Sequence, residues 1–179
     1  MAWSTPITAV SNTALSAAQW NQSVRDNLLA SPNGIATTAG SHFAVTATNT
    51  IAERQAQTVT VATLEDTGGT TGSYTNLATS GPQVTATTGV LAWSHATCQF
   101  YNDTTNVNTF FSVDISGATT DGASDTRAGI WTQTASQPLR FTVTVLHSLT
   151  AGSNVFKIRY KANSNNGYYS RRVLAIMPL

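Results

Sequence analysis

Charge is scarce in this sequence: only 9% of its 179 residues are Asp, Glu, Lys or Arg, against roughly a quarter in an ordinary globular chain. A formal net charge of +1 argues against a protein built around a general phosphate-binding field, so nucleic acid is not an expected partner. The single cysteine, Cys98, excludes an intrachain disulfide framework and a cysteine-rich zinc site. It lies in an apolar run and reads as a small buried residue. No apolar run approaches the roughly 18 residues of a membrane span, so no membrane partner is expected. The opening MAWSTPITAVSNTALSAAQW has neither the basic start nor the continuous apolar core of a secretory signal, which predicts folding in a cytoplasm.

Thr, Ala, Ser and Asn fill the space that charge leaves. Threonine favours pleated surfaces, whereas helical surfaces normally carry Glu and Lys, so the balance predicts an all-β body. Beyond about residue 57 the chain reads as short strands at 58–64, 74–79, 83–87, 90–101, 107–116, 127–132, 139–146, 154–162 and 168–177, separated by Gly-, Pro-, Asn- and Ser-rich turns. Eight or nine such strands predict an antiparallel sandwich, and jelly rolls use eight. Before this body, residues 31–56 read as an extended linker rich in Gly, Ala, Thr and Ser, with one short strand at 43–48.

Residues 1–30 read differently. Ser16 and Gln19 have the spacing of a capping box, in which each side chain satisfies a free backbone donor. Ala17, Trp20, Val24 and Leu28 then recur at helical spacing on one face, and the 31–34 stretch Ser-Pro-Asn-Gly ends the helix. A helix this short is marginal alone in water, so its apolar face needs a surface. That surface is either the chain's own body or a partner on which the helix acts as an anchor. Trp3, isolated in the leading segment, carries the same two readings.

Residues that could do chemistry are sparse. His42, His95 and His147 share no metal-ligand spacing, no Gly-x-Ser-x-Gly elbow occurs, and no phosphate or dinucleotide loop is present. The expectation is therefore no catalytic residues, no cofactor, no metal and no enzyme. Asp114, Asp121 and Asp125 flank a Gly-rich loop that could offer oxygens to calcium but lacks the EF-hand's acidic spacing, and Asp121-Gly122 more simply makes a turn. Charge is also divided along the chain. All eight acids lie at or before Asp125 with only Arg25 and Arg54 beside them, a net −6, and seven cations follow without an acid, a net +7. Such asymmetry marks a charged interface or strands that neutralise one another in the fold. Finally, Phe110-Phe111 and Tyr168-Tyr169 are adjacent aromatics within strands. Neighbours in a strand point to opposite faces, so each pair sets one ring outside the core, where a second copy of the chain could cover it.

Two stretches resemble a known family. The opening AWSTPITAVSNTALSAAQWNQSVRDNLL, with Ser16-Ala17-Ala18-Gln19-Trp20-Asn21 and Arg25-Asp26-Asn27-Leu28, resembles the N-terminal segment of virion proteins of tailed phages infecting actinobacteria. Trp20 departs from the smaller apolar residue usual there. From Thr50-Ile51-Ala52-Glu53-Arg54 onward, the stretches Tyr74–Pro82, Ser116–Thr120, Ala151–Asn154, Arg171-Arg172 and Ile176–Leu179 are similar to the tumour-necrosis-factor-like jelly-roll domain of the same proteins. The resemblance implies a homotrimeric structural component of the virion, assembled in the host cytoplasm and held to capsid or tail proteins by its N-terminal arm. Capsid decoration or a head fibre is the implied role, with a minor tail protein that binds a host receptor or surface glycan as the alternative.

Overall fold

Strict alternation shapes the larger part of the chain. Asn154, Phe156, Ile158, Tyr160 and Ala162 are buried while Val155, Lys157, Arg159 and Lys161 between them are not, the period of two that a pleated strand with one covered face requires. The structure, a computed structural model, describes residues 7–8, 13–31, 35–48, 50–132 and 134–179, and forms two compact units, Met1–Gln55 with Leu179, and Ala56–Pro178.

The smaller unit holds a 13-residue helix and a hairpin of β1 (His42–Ala47) and β2 (Thr50–Arg54). Part of the span read as linker is therefore paired backbone. Glu53 secures it: its carboxylate accepts from the Thr37 and Thr38 amides and from the Thr37 and Ser41 hydroxyls, folding residues 37–41 over the hairpin end. The Ser41 and Thr37 hydroxyls, with the Thr38 amide, hold the Glu53 carboxyl down to about 2. Composition gave no sign of β2, because Thr50–Arg54 neither alternates cleanly nor carries a large aromatic.

The larger unit contains β3 (Gln57–Val61), β4 (Glu65–Asp66), β5 (Gln83–Thr88), β6 (Leu91–Asn102), β7 (Asn108–Gly117), β8 (Gly129–Thr132), β9 (Leu139–Ser148), β10 (Gly152–Ala162) and β11 (Gly167–Pro178). Its pairing is nested: β3 with β11, β5 with β10, β6 with β9 and β7 with β8, all antiparallel. Such a long folded ribbon rolls up when β6 also joins β11 and β7 joins β10. Two sheets result, β3-β11-β6-β9 with β4 beside β11, and β5-β10-β7-β8. This is the jelly-roll arrangement, and the all-β sandwich with a short helical arm is the fold that composition predicted. Between the sheets Phe100 meets Phe111 edge-on at 5.1 Å and stacks on Tyr169 at 6.2 Å, and Tyr160 lies 4.6 Å from Tyr169.

One expected strand is not formed. Residues 74–79 pair their backbone with a strand only at the bridge between Thr75 and Tyr160. Leu77 drops into the core and Glu65 takes the Thr79 amide, so the segment is bound as a loop and not as a ladder.

The last strand carries the main irregularity. Tyr169 and Leu174 have opposite parity and would face opposite sides of a regular strand, yet both are fully buried. A register shift between Ser170 and Val173, with Arg171 in the left-handed region at φ 47°, inserts the residue that reconciles them. The same bulge turns Arg172 inward, where it is 0% exposed. Its Nη2 meets Glu65 Oε2 at 3.1 Å, longer contacts of 3.4–3.5 Å reach the carbonyls of Thr63, Thr79 and Gly81, and its guanidinium lies 5.5 Å from the Tyr160 ring centroid. Burial pushes the Glu65 carboxyl up, but the Thr79 hydroxyl and amide together with Arg172 outweigh it and hold the group below its ordinary value. Removing either partner strands a buried charge, so Arg172→Met and Glu65→Gln should each lower stability by about 3–5 kcal/mol. Urea unfolding followed by near-ultraviolet circular dichroism checks this.

Candidate functional site

The helix begins at the expected capping box: Ser16 Oγ accepts from the Gln19 amide at 3.2 Å, and Gln19 Oε1 accepts from the Ser16 amide at 2.9 Å. Ala17–Trp20 and Asn27–Leu29 are α-helical, and Asn21–Asp26 between them is a wider π-helical stretch. The chain covers the face that bears Asn27 and Ala30, and the Ser23 hydroxyl accepts from the Ile7 amide at 3.3 Å. The apolar stripe is turned away from this cover. Trp20 is 58% and Leu28 62% exposed, Ala17 is exposed, and Val24 is half-buried. Trp3 lies outside the described residues.

The four aromatics expected at an oligomer interface are mostly consumed inside the chain. Phe111 and Tyr169 are core residues, and the Tyr169 hydroxyl sits 3.0 and 2.8 Å from the carbonyls of Phe110 and Lys161. Phe110 points to the opposite face of its sheet, as strand geometry requires, but is buried there too. The Lys161 ammonium lies 4.2 Å from its ring centroid. Only Tyr168 stays on an outer surface, stacked at 4.8 Å on Tyr101. Spacing sets the two rings of each pair on opposite faces of a strand; it could not show that loops close over Phe110.

Those loops, residues 70–76 and 118–127, lie against the outer face of β7 and β10. Ser112 Oγ donates to the Ser124 carbonyl and accepts from the Ser124 amide, Asp121 bridges Ile115 through both backbone groups, and the Tyr74 hydroxyl donates to Asp125 Oδ1 at 2.9 Å. The three aspartates considered for calcium take three different cations: Asp114 pairs with Arg159 at 3.4 Å, Asp121 with Arg127 in a two-pronged contact, and Asp125 with Lys161 at 2.6 Å. Among the described residues no three His, Cys, Asp or Glu side chains converge as metal ligands. With Arg172–Glu65 these pairs neutralise part of the charge asymmetry along the chain, four of its eight acids meeting four of its seven late cations. Three of the pairs form across the fold, because nested pairing sets late strands beside early ones, and Asp121 meets Arg127 within one loop.

Sequence inspection missed one buried pair. Ser94 Oγ lies 2.8 Å from His147 Nε2, on facing strands β6 and β9. The geometry suits a serine and its base, but Ser94 is fully buried and His147 is 3% exposed, and the Asp121 carboxylate that would orient the ring is held by Arg127. The pair is a satisfied interior hydrogen bond. Cys98 is likewise buried, and burial pushes its thiol up to about 12.

Burial lowers the His147 imidazole to about 4, with Arg127 acting in the same direction. The folded protein therefore keeps His147 neutral at pH values where the unfolded chain protonates it. Stability should be complete above about pH 6.5 and fall by roughly 2–3 kcal/mol as the pH drops toward 4. Urea midpoints at pH 7.0, 5.5 and 4.5 should show this slope, and His147→Gln should flatten it.

No family model and no curated protein matches the chain. Among solved structures, a chain from the structure of infectious bursal disease virus, Gx strain, is similar to it with a TM-score of 0.39 and 10% sequence identity. The similarity covers 70% of this chain and 38% of that one, so the chain spans less than half the length of its neighbour.

Proposed function

We propose that this chain is a non-enzymatic structural component of a phage particle, a capsid decoration or head-fibre protein, attached through its N-terminal helix and displaying its jelly-roll body outward. The observation that carries the reading is the inverted amphipathicity of the helix. Its small and polar residues Asn27 and Ala30 are covered by the chain, while Trp20 and Leu28 face out. An exposed Trp and Leu spaced two turns apart fit the apolar groove of a partner protein. The particle as that partner rests on the resemblance of residues 2–29 to phage virion arms.

The body trimerises in this reading through the bare face of the β3-β11-β6-β9 sheet. Loops cover part of the outer face of β7 and β10 in the other sheet, whereas here Trp93, Leu146 and Met177 sit with Thr97, Thr142, Thr144 and Ala175 at paired positions pointing outward. The charged residues paired into this face, Asp66 and Arg140, lie toward the Tyr101 end. A surface so poor in charge can meet copies of itself without like-charge repulsion. Tyr168 belongs to this face; Phe110, Phe111 and Tyr169 do not.

Two measurements test the proposal. Trp20→Ala should weaken attachment to purified particles by about 2 kcal/mol or more, while Ala18→Ser on the same helix should leave it unchanged. Equal occupancy by the Trp20→Ala protein would place the anchor elsewhere. Light scattering of the full chain at micromolar concentration should return the mass of three chains, and Trp93→Asp should return one. A monomeric wild-type protein would overturn the trimer.

A further inference from the structure

The two loops that bury Phe110 do not close completely over the β7–β10 face. They leave an open cleft of about 460 Å³, floored by Asp114, Arg159 and Lys161 from the strands and walled by Tyr74 and Asp125. That volume falls within the range of small-molecule sites. Its walls are fixed from several directions. The Thr71 amide donates to the Ala162 carbonyl at 2.9 Å, Thr75 bridges Tyr160, and the Tyr74 hydroxyl and Lys161 ammonium both hold Asp125. The cleft is thus formed before any ligand arrives.

Its polar groups are not equally occupied. Asp125, Lys161 and Tyr74 satisfy one another. Arg159 and Asp114 make a single long contact, Nε to Oδ2 at 3.4 Å, although both side chains are only about a quarter exposed. Among the described residues, neither terminal nitrogen of Arg159 and not Asp114 Oδ1 has a hydrogen-bond partner. A planar donor fork therefore stands beside a free carboxylate oxygen at the floor of the cleft.

We propose that this cleft binds a neutral saccharide, with adjacent hydroxyls of one sugar ring bridging Arg159 and Asp114. One hydroxyl accepts from the guanidinium and its neighbour donates to the carboxylate, a complement that a vicinal diol supplies and a lone carboxylate or phosphate does not. Charge supports the same class. Two cations and two carboxylates line the cleft, so it holds no net field for an anion. A peptide partner would want a free strand edge or an apolar pocket, and the floor strands β7 and β10 are interior strands of their sheet while the lining is polar. The site lies wholly within the jelly-roll unit and uses neither the helix nor the bare sheet face, so it stands independently of the attachment proposed above.

The test uses the full chain on an array of glucose-, galactose- and mannose-terminated neutral oligosaccharides, with sialylated and uronic-acid glycans alongside, followed by calorimetry on the best neutral glycan. Binding should be selective for a neutral glycan, and Arg159→Ala and Asp114→Ala should each weaken it about tenfold or more, since each removes a hydrogen bond to a charged group. Gly122 supplies a variant that leaves the fold alone. It lines the cleft, and a Cβ there meets no atom within 4 Å, so Gly122→Leu should abolish binding with an unchanged melting temperature. Binding of no neutral glycan, binding confined to acidic glycans, or binding that survives Gly122→Leu would each overturn the assignment. None of these outcomes bears on whether Trp20 anchors the chain to a particle.

Discussion

A buried arginine organises the jelly-roll body. Arg172 enters the space beneath the long 62–82 segment only because the β11 bulge reverses strand parity, and once there it must be neutralised and hydrogen-bonded. Glu65 supplies the charge, and the carbonyls of Thr63, Thr79 and Gly81 supply further acceptors. These four positions span the crossing from β3 to β5. One side chain thereby ties both ends of a segment with almost no regular structure to the sheet, beside the backbone contacts of Thr67, Thr71 and Thr75. Tyr160 adds to the same closure, its ring beneath the guanidinium and its hydroxyl donating to the Gly81 carbonyl at 2.7 Å. Burial of an ion pair contributes little net stability by itself. Its consequence here is for register: a one-residue slip of β11 turns Arg172 to the other face and takes from Glu65 its cation.

From this closure follows the difference between the two sheet faces. With 62–82 fixed, its central residues 70–76 are set against the outer side of β10, where they meet the 118–127 loop pinned to β7. Phe110 is sealed beneath them, the loop aspartates find cations from the late strands, and a polar cleft remains between the loops. Among the described residues, no loop of this unit is set against the outer side of the other sheet, which presents Trp93, Leu146 and Met177 outward. Among the described residues, loops thus cover much of one outer face of the sandwich and leave the other open.

Much of the fold was legible in the residues. A chain rich in threonine and poor in charge, with period-two alternation and regular turn signals, has few ways to bury its apolar side chains other than a β-sandwich. The capping box and the 3- and 4-residue spacing of Ala17, Trp20, Val24 and Leu28 likewise specify a helix wherever it docks. Sites were less legible. Ser94 and His147 are 53 residues apart in the chain, and they meet because β6 and β9 pair. Arg159 and Asp114 meet for the same reason across β10 and β7.

The sequence alone determined the things that depend on neighbours along the chain: the type of most strands and of the helix, which side of a regular strand each residue occupies, the helix start, and the lack of local catalytic or metal-binding spacing. Tertiary structure decided what depends on distant segments. It buried Phe110 under two loops, converted 74–79 from an expected strand into a bound loop, built a hairpin within the span read as linker, and resolved part of a lopsided charge distribution into ion pairs. The physical reason is the range of each interaction. Backbone geometry and side-chain alternation act over a few residues, whereas burial and charge pairing are settled only when nested strands bring together positions as far apart as Glu65 and Arg172.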